Sequence, residues 1–538
     1  MPVSLLFHRL RLCKIMASKP IGFLSLLLSS LILVIVVSPA LADDVTVTVR
    51  AVTPIQQTDG NLVCATMDWW PKDKCNYGWC PWYNSSIINL DLNNTILYNA
   101  IDAFKNLRIR LGGSLQDQVI YGVGEHRKHC ENFKSDPNGM FTFTSGCLTM
   151  RRWDELNTFF RKTGAIITFG LNALKGREKA LDSTEYVGPW DSTNAHHFIR
   201  HTIAKGHKID SWEFGNELCG GGVAAKVNAT QYAQDLIKLK KIINRLYRRF
   251  SDQDKPKLLA PGGFFDMQWF IEMLQVSGPN VVDAVTHHIY NLGPGNDNNL
   301  MSRILDPFYL SQVANTYKNV EYVVKNYGPW STPWIGESGG AFNSGGKDVS
   351  NSFVDGFWYL DQLGMVSVYG HSVFCRQALI GGNYALLDPI TFVPNPDYYS
   401  ALLWSKLMGR RVLQTTNDGS PYFRSYTHCS KNGQGVTSLF INYSNSTSSD
   451  VSFVGDYNIY SPSLYEEIGP REEYHLTPEG GNLKSRVMLL NGQPLKLTSD
   501  NQIPELKPLV VEGGKPLRIA PYSIAFIRYK NFNAPACA

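Results

Sequence analysis

Residues 210–222 read DSWEFGNELCGGG, a short hydrophobic and aromatic run that ends in Gly215-Asn216-Glu217 and three glycines. An apolar run of this length, followed by glycines, is typical of a strand that gives way to a loop. The stretch contains two carboxylates. Glu213 alternates with hydrophobic residues inside the predicted strand, so we interpret it as a structural residue. Glu217 follows the strand and is placed to project into a cleft.

Similar short apolar runs recur between about residues 62 and 405, and amphipathic segments separate them. The eight predicted strands cover residues 62–67, 107–111, 165–169, 209–214, 257–260, 284–288, 334–335 and 372–375. Helical patterns lie between them, notably over residues 151–162, 195–204, 232–249, 312–326 and 353–363. Strands that alternate with helices in this way predict an α/β fold of the (β/α)8 TIM-barrel type. An open doubly wound sheet is the alternative, but no glycine-rich phosphate-binding fingerprint follows the first strand.

The sequence pattern changes after residue 409. Residues 410–538 contain short β-rich runs separated by turn residues and no convincing helix, which predicts a C-terminal β-sandwich domain. The strand DVTVTVRAV lies within residues 43–60, and we expect this segment to join the sandwich. Residues 61–409 then form the barrel.

The N-terminus has the pattern of a targeting segment. Four basic residues precede an apolar run over residues 21–37, and Ala40-Leu41-Ala42 fits a small-residue cleavage site. Residues 1–42 are therefore predicted to be a secretory signal peptide. The alternative is an uncleaved membrane anchor, which the short length of the apolar run disfavours. We expect secretion to the extracellular space or cell wall, with a vacuolar or lysosomal compartment as a further alternative.

The charge of the mature chain excludes some partners. Removal of residues 1–42 takes away four basic residues and no acidic residue, so the formal net charge falls from +5 to +1. A chain with this charge has no overall field that attracts a polyanion, so nucleic acid is not an expected partner. No later stretch is apolar enough to predict a stable membrane span after cleavage of the signal peptide.

Cysteines and sequons agree with export. The chain has ten cysteines, nine of them after residue 42, and in an oxidising compartment most should pair and at least one should remain. Cys130 and Cys147 lie in a polar surface loop, and Cys429 and Cys537 lie near the two ends of the β-rich region. We expect a disulfide within each pair. Five glycosylation sequons begin at Asn84, Asn93, Asn228, Asn442 and Asn445.

A second glutamate has the same setting as Glu217. The stretch TPWIGESGGAFNSGG contains a short strand that ends in Gly336, then Glu337, then a glycine-rich loop. Catalytic groups of barrels lie at the carboxyl ends of the strands, so Glu217 and Glu337 are expected to face each other across the mouth. Paired carboxylates are the minimal equipment for cleaving a glycosidic bond. The pair therefore predicts a glycoside hydrolase.

Four motifs occur in order along the chain: WEFGNE (212–217), THHIYNLG (286–293), WIGESGGAFNSGG (334–346) and FCRQALIGGNYALLDP (374–389). Together they resemble the heparanase family, glycoside hydrolase family 79, and its plant heparanase-like members most. The resemblance implies a retaining β-glucuronidase, endo- or exo-acting, that needs no cofactor. The implied partner is a carbohydrate that carries glucuronic acid, such as a plant glycan, a proteoglycan or a small aryl glucuronide. Basic clusters for a highly sulfated chain are not evident, which favours a less sulfated substrate.

The resemblance also assigns roles to residues. Glu217 matches the proton donor, Glu337 matches the nucleophile, and Asn216 matches an asparagine that bonds the sugar 2-hydroxyl. The other substrate-binding candidates are His287, Tyr290, Phe342, Arg376, Gly382, Asn383 and Tyr384. For Arg376, a structural ion pair at the barrel rim is an equal alternative.

Adjacent strand residues point to opposite faces, so His287 and His288 cannot easily share a metal ion, and no metal is expected. Two other functions remain as alternatives: a non-catalytic glycan-binding relative, and a retaining glycosidase for a neutral sugar. Retention of both glutamates disfavours the first alternative. The sequence leaves the second one open.

Overall fold

The computed structural model describes residues 42–431, 433–456 and 469–538. Residues 1–41, which hold nearly all of the predicted signal peptide, lie outside the described residues. Within the described ranges, no helix is both long and apolar enough to cross a bilayer.

Eight parallel strands close into a barrel. In chain order, and called the first to the eighth strand below, they are Val63–Met67, Arg108–Leu111, Ile166–Leu171, Ser211–Phe214, Lys257–Phe264, Ala284–Ile289, Thr332–Ser338 and Val373–Arg376. Nearly all their residues are buried, because one face of the barrel meets the interior and the other meets the surrounding helices. Each predicted strand overlaps an observed one, so the predicted barrel is confirmed.

Ten α-helices lie in the described part of the chain. They are Thr95–Asp102, Met150–Thr163, Thr193–Ala204, Ala229–Leu246, Met267–Ser277, Leu300–Ile304, Pro307–Ser311, Ala314–Tyr327, Asp355–Val368 and Pro396–Leu407. Ala229–Leu246 shows how the sequence forms them. The Asn228 side chain caps its N-terminus, and Leu236, Leu239 and Ile243 form a buried stripe at helical spacing.

Strands at both ends of the described chain form a second, all-β region. Twelve strands form one hydrogen-bonded sheet: Ala42–Arg50, Gln56–Gln57, Met408–Asn417, Phe423–Ser430, Val436–Asn442, Ser448–Gly455, Arg471–Pro478, Met488–Leu490, Gln493–Pro494, Leu509–Val511, Leu517–Ile519 and Ser523–Tyr529. Ala42–Arg50 lies between Met408–Asn417 and Ser448–Gly455.

The sheet folds over on itself. The rings of Phe453 and Tyr529 stack with centroids 4.2 Å apart, although their strands are not neighbours in the hydrogen-bonding order. Val47, Phe440 and Ile527 fill the core between the two layers. Face-to-face packing of this kind is that of a β-sandwich, which confirms the predicted second architecture.

The β-sandwich covers one helix of the barrel. Tyr426 donates a hydrogen bond to the Asp361 carboxylate at 2.6 Å, and Tyr443 donates one to the Phe357 carbonyl at 3.0 Å. Residues 355–367 of helix Asp355–Val368 are all buried. The helix is buried on every side because it lies between the barrel and the sandwich.

The described part of the chain contains four disulfides: Cys64–Cys375, Cys75–Cys80, Cys130–Cys147 and Cys429–Cys537. The last two confirm the predicted pairs. Cys64 and Cys375 are register partners on the first and eighth strands. Their bond therefore links the first barrel strand to the last one, across 311 residues of sequence. Among the described residues, Cys219 is the unpaired cysteine, and it is buried.

One predicted glycosylation site is wrong. Asn442 is buried, and its side-chain Nδ2 donates hydrogen bonds to the carbonyls of Thr447 and Ile519 at 2.9 and 3.2 Å. A glycan would replace one of the two hydrogens on this nitrogen, so at least one of these bonds would be lost, and the buried side chain leaves no room for a sugar. The other sequon asparagines are exposed: Asn84, Asn93, Asn228 and Asn445.

Candidate active site

Glu217 and Glu337 meet at the carboxyl end of the barrel. Glu337 lies near the end of the seventh strand, and Glu217 comes three residues after the fourth strand. One carboxylate oxygen of each glutamate and one ring nitrogen of His288 all lie within 4.8 Å of one another. Both glutamates are largely buried, at 7% and 6% exposure. The two residues singled out by sequence therefore form one site.

Glu217 is held in place by the fifth and sixth strands. Its backbone N–H donates to the Gly262 carbonyl at 2.7 Å, and its Oε1 lies 3.0 Å from Nδ1 of His288. Its backbone φ of 55° turns the chain sharply after the strand, so the carboxylate points across the mouth. His288 is fully buried and lies on the interior face of the sixth strand.

Arg110 connects the two halves of the site. This fully buried guanidinium donates from Nε to Glu213 at 2.6 Å, from Nη1 to Glu337 at 2.8 Å and from Nη2 to Asn216 at 2.8 Å. Glu213 is thus a buried partner of Arg110, as its place within the strand suggested. The sequence prediction missed Arg110, although an arginine in the buried second strand (RIRL) signals a buried acidic partner.

Glu337 has both carboxylate oxygens occupied. Arg110 donates to Oε2, and the Tyr290 hydroxyl donates to Oε1 at 2.6 Å. Burial by itself raises the pKa of this carboxyl, but interactions with His288, Arg110 and Tyr290 outweigh burial and hold the pKa below its usual value of 4.5. The Glu337 carboxylate is therefore ionised from mildly acidic pH upward, which suits a nucleophile.

The wall of the mouth that lies across from the fifth strand is polar. Asp68 directly follows the first strand, and its Oδ2 accepts a hydrogen bond from the Gln377 amide at 3.0 Å. The Gln377 amide also lies 3.4 Å from the Tyr384 hydroxyl. Burial, followed by repulsion from Glu337, raises the pKa of Asp68 to about 7. The sequence analysis did not predict Asp68 or Gln377 as site residues. The position of Asp68 just after a barrel strand was a signal that could have identified it.

The remaining predicted binding residues differ in how close they come to the glutamates. Tyr384 packs against Gly339, two residues after Glu337, and Gly382 lies under the Tyr384 ring. Asn383 is half-buried and donates to the Gly345 carbonyl at 3.1 Å, so it supports the loop after the seventh strand. Phe342 lies in that same loop, partly exposed, in a short strand pair with Pro294.

The expectation for His287 is wrong. His287 Nε2 lies 2.9 Å from Nε2 of His371, and its ring packs near Tyr317 outside the barrel. Burial, followed by the neighbouring histidines, holds its pKa well below the usual value. Because adjacent strand residues face opposite sides, His288 is the histidine that points into the barrel. The sequence identified the two faces and could not say which one is inside.

The binding role expected for Arg376 is also wrong. Its guanidinium is fully buried and forms ion pairs with Asp355 at 2.6 Å and Asp397 at 3.0 Å. These acids belong to helices Asp355–Val368 and Pro396–Leu407, so Arg376 joins the eighth strand to the outer layer. The alternative of a structural ion pair is the correct one.

Glu217, His288 and Glu337 could together offer three ligand atoms to a cation. However, the Arg110 guanidinium already lies 2.8 Å from Glu337, and Tyr290 occupies the other oxygen. A cation at this place would lie beside a fixed positive charge. The electrostatics therefore favour a pair of carboxylates that act on a substrate directly.

Comparisons with known proteins agree with this chemistry. The family model described as "Glycosyl hydrolase family 79, N-terminal domain" matches residues 44–364. Heparanase-like protein 1 from Arabidopsis thaliana is 52% identical over 514 residues, covering 91% of this chain and 94% of that protein. Baicalin-beta-D-glucuronidase from Scutellaria baicalensis is 41% identical over 488 residues, covering 88% and 90%.

Solved structures show the same fold. A 4-O-alpha-L-rhamnosyl-beta-D-glucuronidase from Fusarium oxysporum superposes with a TM-score of 0.61, covering 90% of this chain and all of that one, at 13% sequence identity. At this identity the likeness concerns the fold alone. The family match and the relatives at higher identity carry the assignment: the chain is a glycoside hydrolase and belongs to glycosyl hydrolase family 79.

Proposed function

We propose that this glycoside hydrolase is a secreted retaining β-glucuronidase. It hydrolyses β-linked glucuronic acid from plant glycans, proteoglycans or small aryl glucuronides. The similarity to a β-glucuronidase at 41% identity supports the choice of sugar. The predicted signal peptide supports export to the extracellular space or cell wall.

The observation that carries the proposal is the arrangement of Glu217 and Glu337. Their nearest carboxylate oxygens lie within 4.8 Å. Retaining glycosidases hold their carboxyl groups roughly 5–5.5 Å apart, whereas inverting enzymes hold them roughly 6.5–9.5 Å apart to leave room for water. The short spacing favours retention of configuration.

The first step forms a covalent intermediate. Ionised Glu337 attacks the anomeric carbon, and the bond from that carbon to the leaving oxygen breaks. Protonated Glu217 gives its proton to the leaving oxygen as the alcohol or phenol departs. In the second step, Glu217 takes a proton from water, the water oxygen attacks the anomeric carbon, and Glu337 is released. Glucuronic acid leaves with its configuration retained.

Neighbouring residues position the two glutamates. Arg110 and Tyr290 orient the Glu337 carboxylate, and His288 holds Glu217. Arg110 also bonds Oδ1 of Asn216, which leaves the Asn216 amide nitrogen to donate to a sugar hydroxyl. Each of these contacts fixes a group before substrate arrives, which is how positioning lowers a reaction barrier.

The test compares 4-nitrophenyl β-glucuronide, β-glucoside and β-galacturonide, which share one leaving group. We expect the highest kcat/KM for the glucuronide and, by NMR, β-glucuronic acid as the first product. The Glu337→Gly variant should lose turnover of the parent substrate. Azide should restore turnover of that variant by filling the space of the nucleophile, giving α-glucuronyl azide.

Each alternative has its own outcome. Preference for the glucoside would identify a neutral-sugar glycosidase, and binding without turnover of any glycoside would identify a glycan-binding protein. An α-configured first product would contradict the retaining mechanism. The Phe308→Ala variant changes an exposed residue on helix Pro307–Ser311 and serves as a control for expression and folding.

A further inference from the structure

Phe264 shares one layer of the barrel with the proposed nucleophile. It is the last residue of the fifth strand and the register partner of His288 on the sixth strand. His288 is in turn the register partner of Glu337 on the seventh. Register partners on parallel strands project to the same face. Phe264 therefore points into the mouth beside the catalytic groups.

The Phe264 side chain is exposed, although it lies beside the residues that contact the two glutamates. Its centroid lies 6.4 Å from the His288 ring and 6.3 Å from the Tyr290 ring, and the residue is 43% exposed. His288 contacts Glu217, and Tyr290 contacts Glu337. The phenylalanine ring thus packs near the two residues that position Glu217 and Glu337, and part of it remains exposed.

The backbone holds this ring at a fixed position relative to Glu217. The carbonyl of Gly262, two residues earlier, accepts a hydrogen bond from the Glu217 N–H. The Phe264 carbonyl accepts one from the Cys219 thiol at 3.2 Å. The intervening Gly263 packs so closely that an added Cβ would lie 2.9 Å from the Glu217 Cα. The exposed ring therefore lies on a rigid support and is not part of a mobile loop.

The chemistry gives the direction in which a substrate must lie. The leaving oxygen has to meet Glu217, so the leaving group passes over the fourth and fifth strands. In the order of this closed barrel the first strand lies directly across from the fifth. That opposite wall carries Asp68, with Gln377 and Tyr384 beside it, and offers polar groups to sugar hydroxyls. The wall at Phe264 instead offers an aromatic face.

We propose that Phe264 forms a leaving-group subsite that stacks on a flat apolar face, either an aryl ring or the apolar face of a second sugar. This inference rests on the proposed glucuronidase activity and adds to it a preference for such leaving groups. Aromatic rings attract flat partners through area burial and ring–ring contact. Phe264 is a binding residue here, and it takes no part in the proton transfers.

The experiment uses the full mature chain and three substrates with different leaving groups: β-glucuronyl fluoride, 2-naphthyl β-glucuronide and a glucuronosyl-galactose disaccharide. Fluoride has no face to stack on. We expect Phe264→Ala to lower kcat/KM for the naphthyl substrate about tenfold, as for loss of one aromatic contact, and for the fluoride less than twofold. Phe264→Leu, which keeps apolar volume without a flat ring, should fall in between.

The disaccharide distinguishes the two sources of a flat face. A parallel loss on the disaccharide supports a subsite for sugars as well as aryl groups, and a loss on the naphthyl substrate alone supports an aryl subsite. Phe308→Ala, a substitution of an exposed phenylalanine on helix Pro307–Ser311, should change none of the three.

Two results would overturn the inference while leaving the proposed function intact. Equal losses on the fluoride and the naphthyl substrate would mean that Phe264 acts through His288 and Tyr290. Unchanged rates on all three substrates would mean that the ring contacts no leaving group. A parent enzyme that is inactive on every glucuronide would instead refute the proposed function, and the subsite with it.

Discussion

Glu217 adopts a left-handed backbone conformation, with φ 55°, in which a side chain is unfavourable. The hydrogen bond from its N–H to the Gly262 carbonyl helps to hold this conformation, which places the carboxylate near that of Glu337. Glu213, four residues earlier in the same stretch, lies in the extended fourth strand and bonds Arg110. Two glutamates of one short segment thus have opposite backbone requirements.

This difference predicts opposite responses to glycine. Glu217→Gly should be more stable than Glu217→Ala by about 1 kcal/mol, because glycine accepts a positive φ without steric cost. The order should reverse at Glu213, where glycine in a strand is about 0.5–1 kcal/mol worse than alanine. Urea unfolding of the four variants measures both differences.

Comparing glycine with alanine at one position cancels the loss of the carboxylate, since both variants lack it. Both Glu217 variants should be inactive on glucuronides with poor leaving groups. Equal stabilities of Glu217→Gly and Glu217→Ala would show that the left-handed conformation at residue 217 costs no stability, which would contradict the expected preference for glycine.

The fifth strand is longer than its sequence predicts. The prediction ended at residue 260, because Pro261 and two glycines are typical of a strand end. The observed strand is Lys257–Phe264, with an irregularity between Pro261 and Gly263 in its pairing with the sixth strand. This irregular end supplies the Gly262 carbonyl to Glu217 and carries Phe264. Glycines usually weaken a strand. Gly262 and Gly263 have no side chain, and this allows the loop after the fourth strand to approach closely.

Gly263→Ala tests this function of the strand. The added Cβ would meet the Cys219 Sγ at 2.7 Å and the Glu217 Cα at 2.9 Å, so the loop that carries Glu217 must shift. We expect kcat for an aryl glucuronide to fall about 100-fold, the loss that a displacement of about 1 Å can cause.

Gly221→Ala is the matched control. Gly221 lies in the same loop, and an added Cβ there meets nothing within 4 Å. Its activity should remain within about twofold of the parent, as for a substitution into open space. A Gly263→Ala enzyme with the activity of the Gly221→Ala control would contradict the close packing of Gly263 against Cys219 and Glu217.

The stability of the folded chain depends on buried groups that titrate in opposite directions. Burial raises the pKa values of Asp68 and Asp117 to about 7, and burial lowers those of His371 and His428 to about 4. Between pH 4 and 6.5 the folded state binds more protons at the aspartates and fewer at the histidines than the unfolded chain does. Stability contributed by the aspartates falls as pH rises, and that of the histidines rises. The contributions of these four groups to the pH dependence of stability therefore oppose one another and largely cancel.

Single substitutions should separate the contributions of these groups to the pH dependence of the free energy of unfolding. Relative to the parent, Asp68→Asn should gain stability as the pH rises from about 4 to about 7, because the parent loses its Asp68 contribution over that range. His428→Asn keeps a donor for the Gly409 carbonyl and should lose relative stability as the pH rises from about 4 to 6.5. Each slope is at most about 1.4 kcal/mol per pH unit. Urea unfolding at several pH values measures them, and slopes of the same sign would contradict the assignment.

The sequence by itself determined the order of strands and helices, because hydrophobic periodicity reports local backbone geometry. It also predicted that Glu217 and Glu337 lie at or just beyond the carboxyl ends of barrel strands, since position along a strand is a local property. The disulfide between Cys429 and Cys537 followed from their place at the two ends of one region. Resemblance of four motifs then supplied the family.

Only the tertiary structure decided which residues meet. Arg110 reaches Glu337 across 227 residues of sequence, and no local pattern reports such a contact. His287 and His288 are equivalent in the periodicity, and barrel closure alone decides that His288 faces Glu217. Arg376 likewise became a structural residue because Asp355 and Asp397 lie on helices outside the barrel. Periodicity defines the two faces of a strand, whereas long-range packing determines which face is the interior and which charges are paired there.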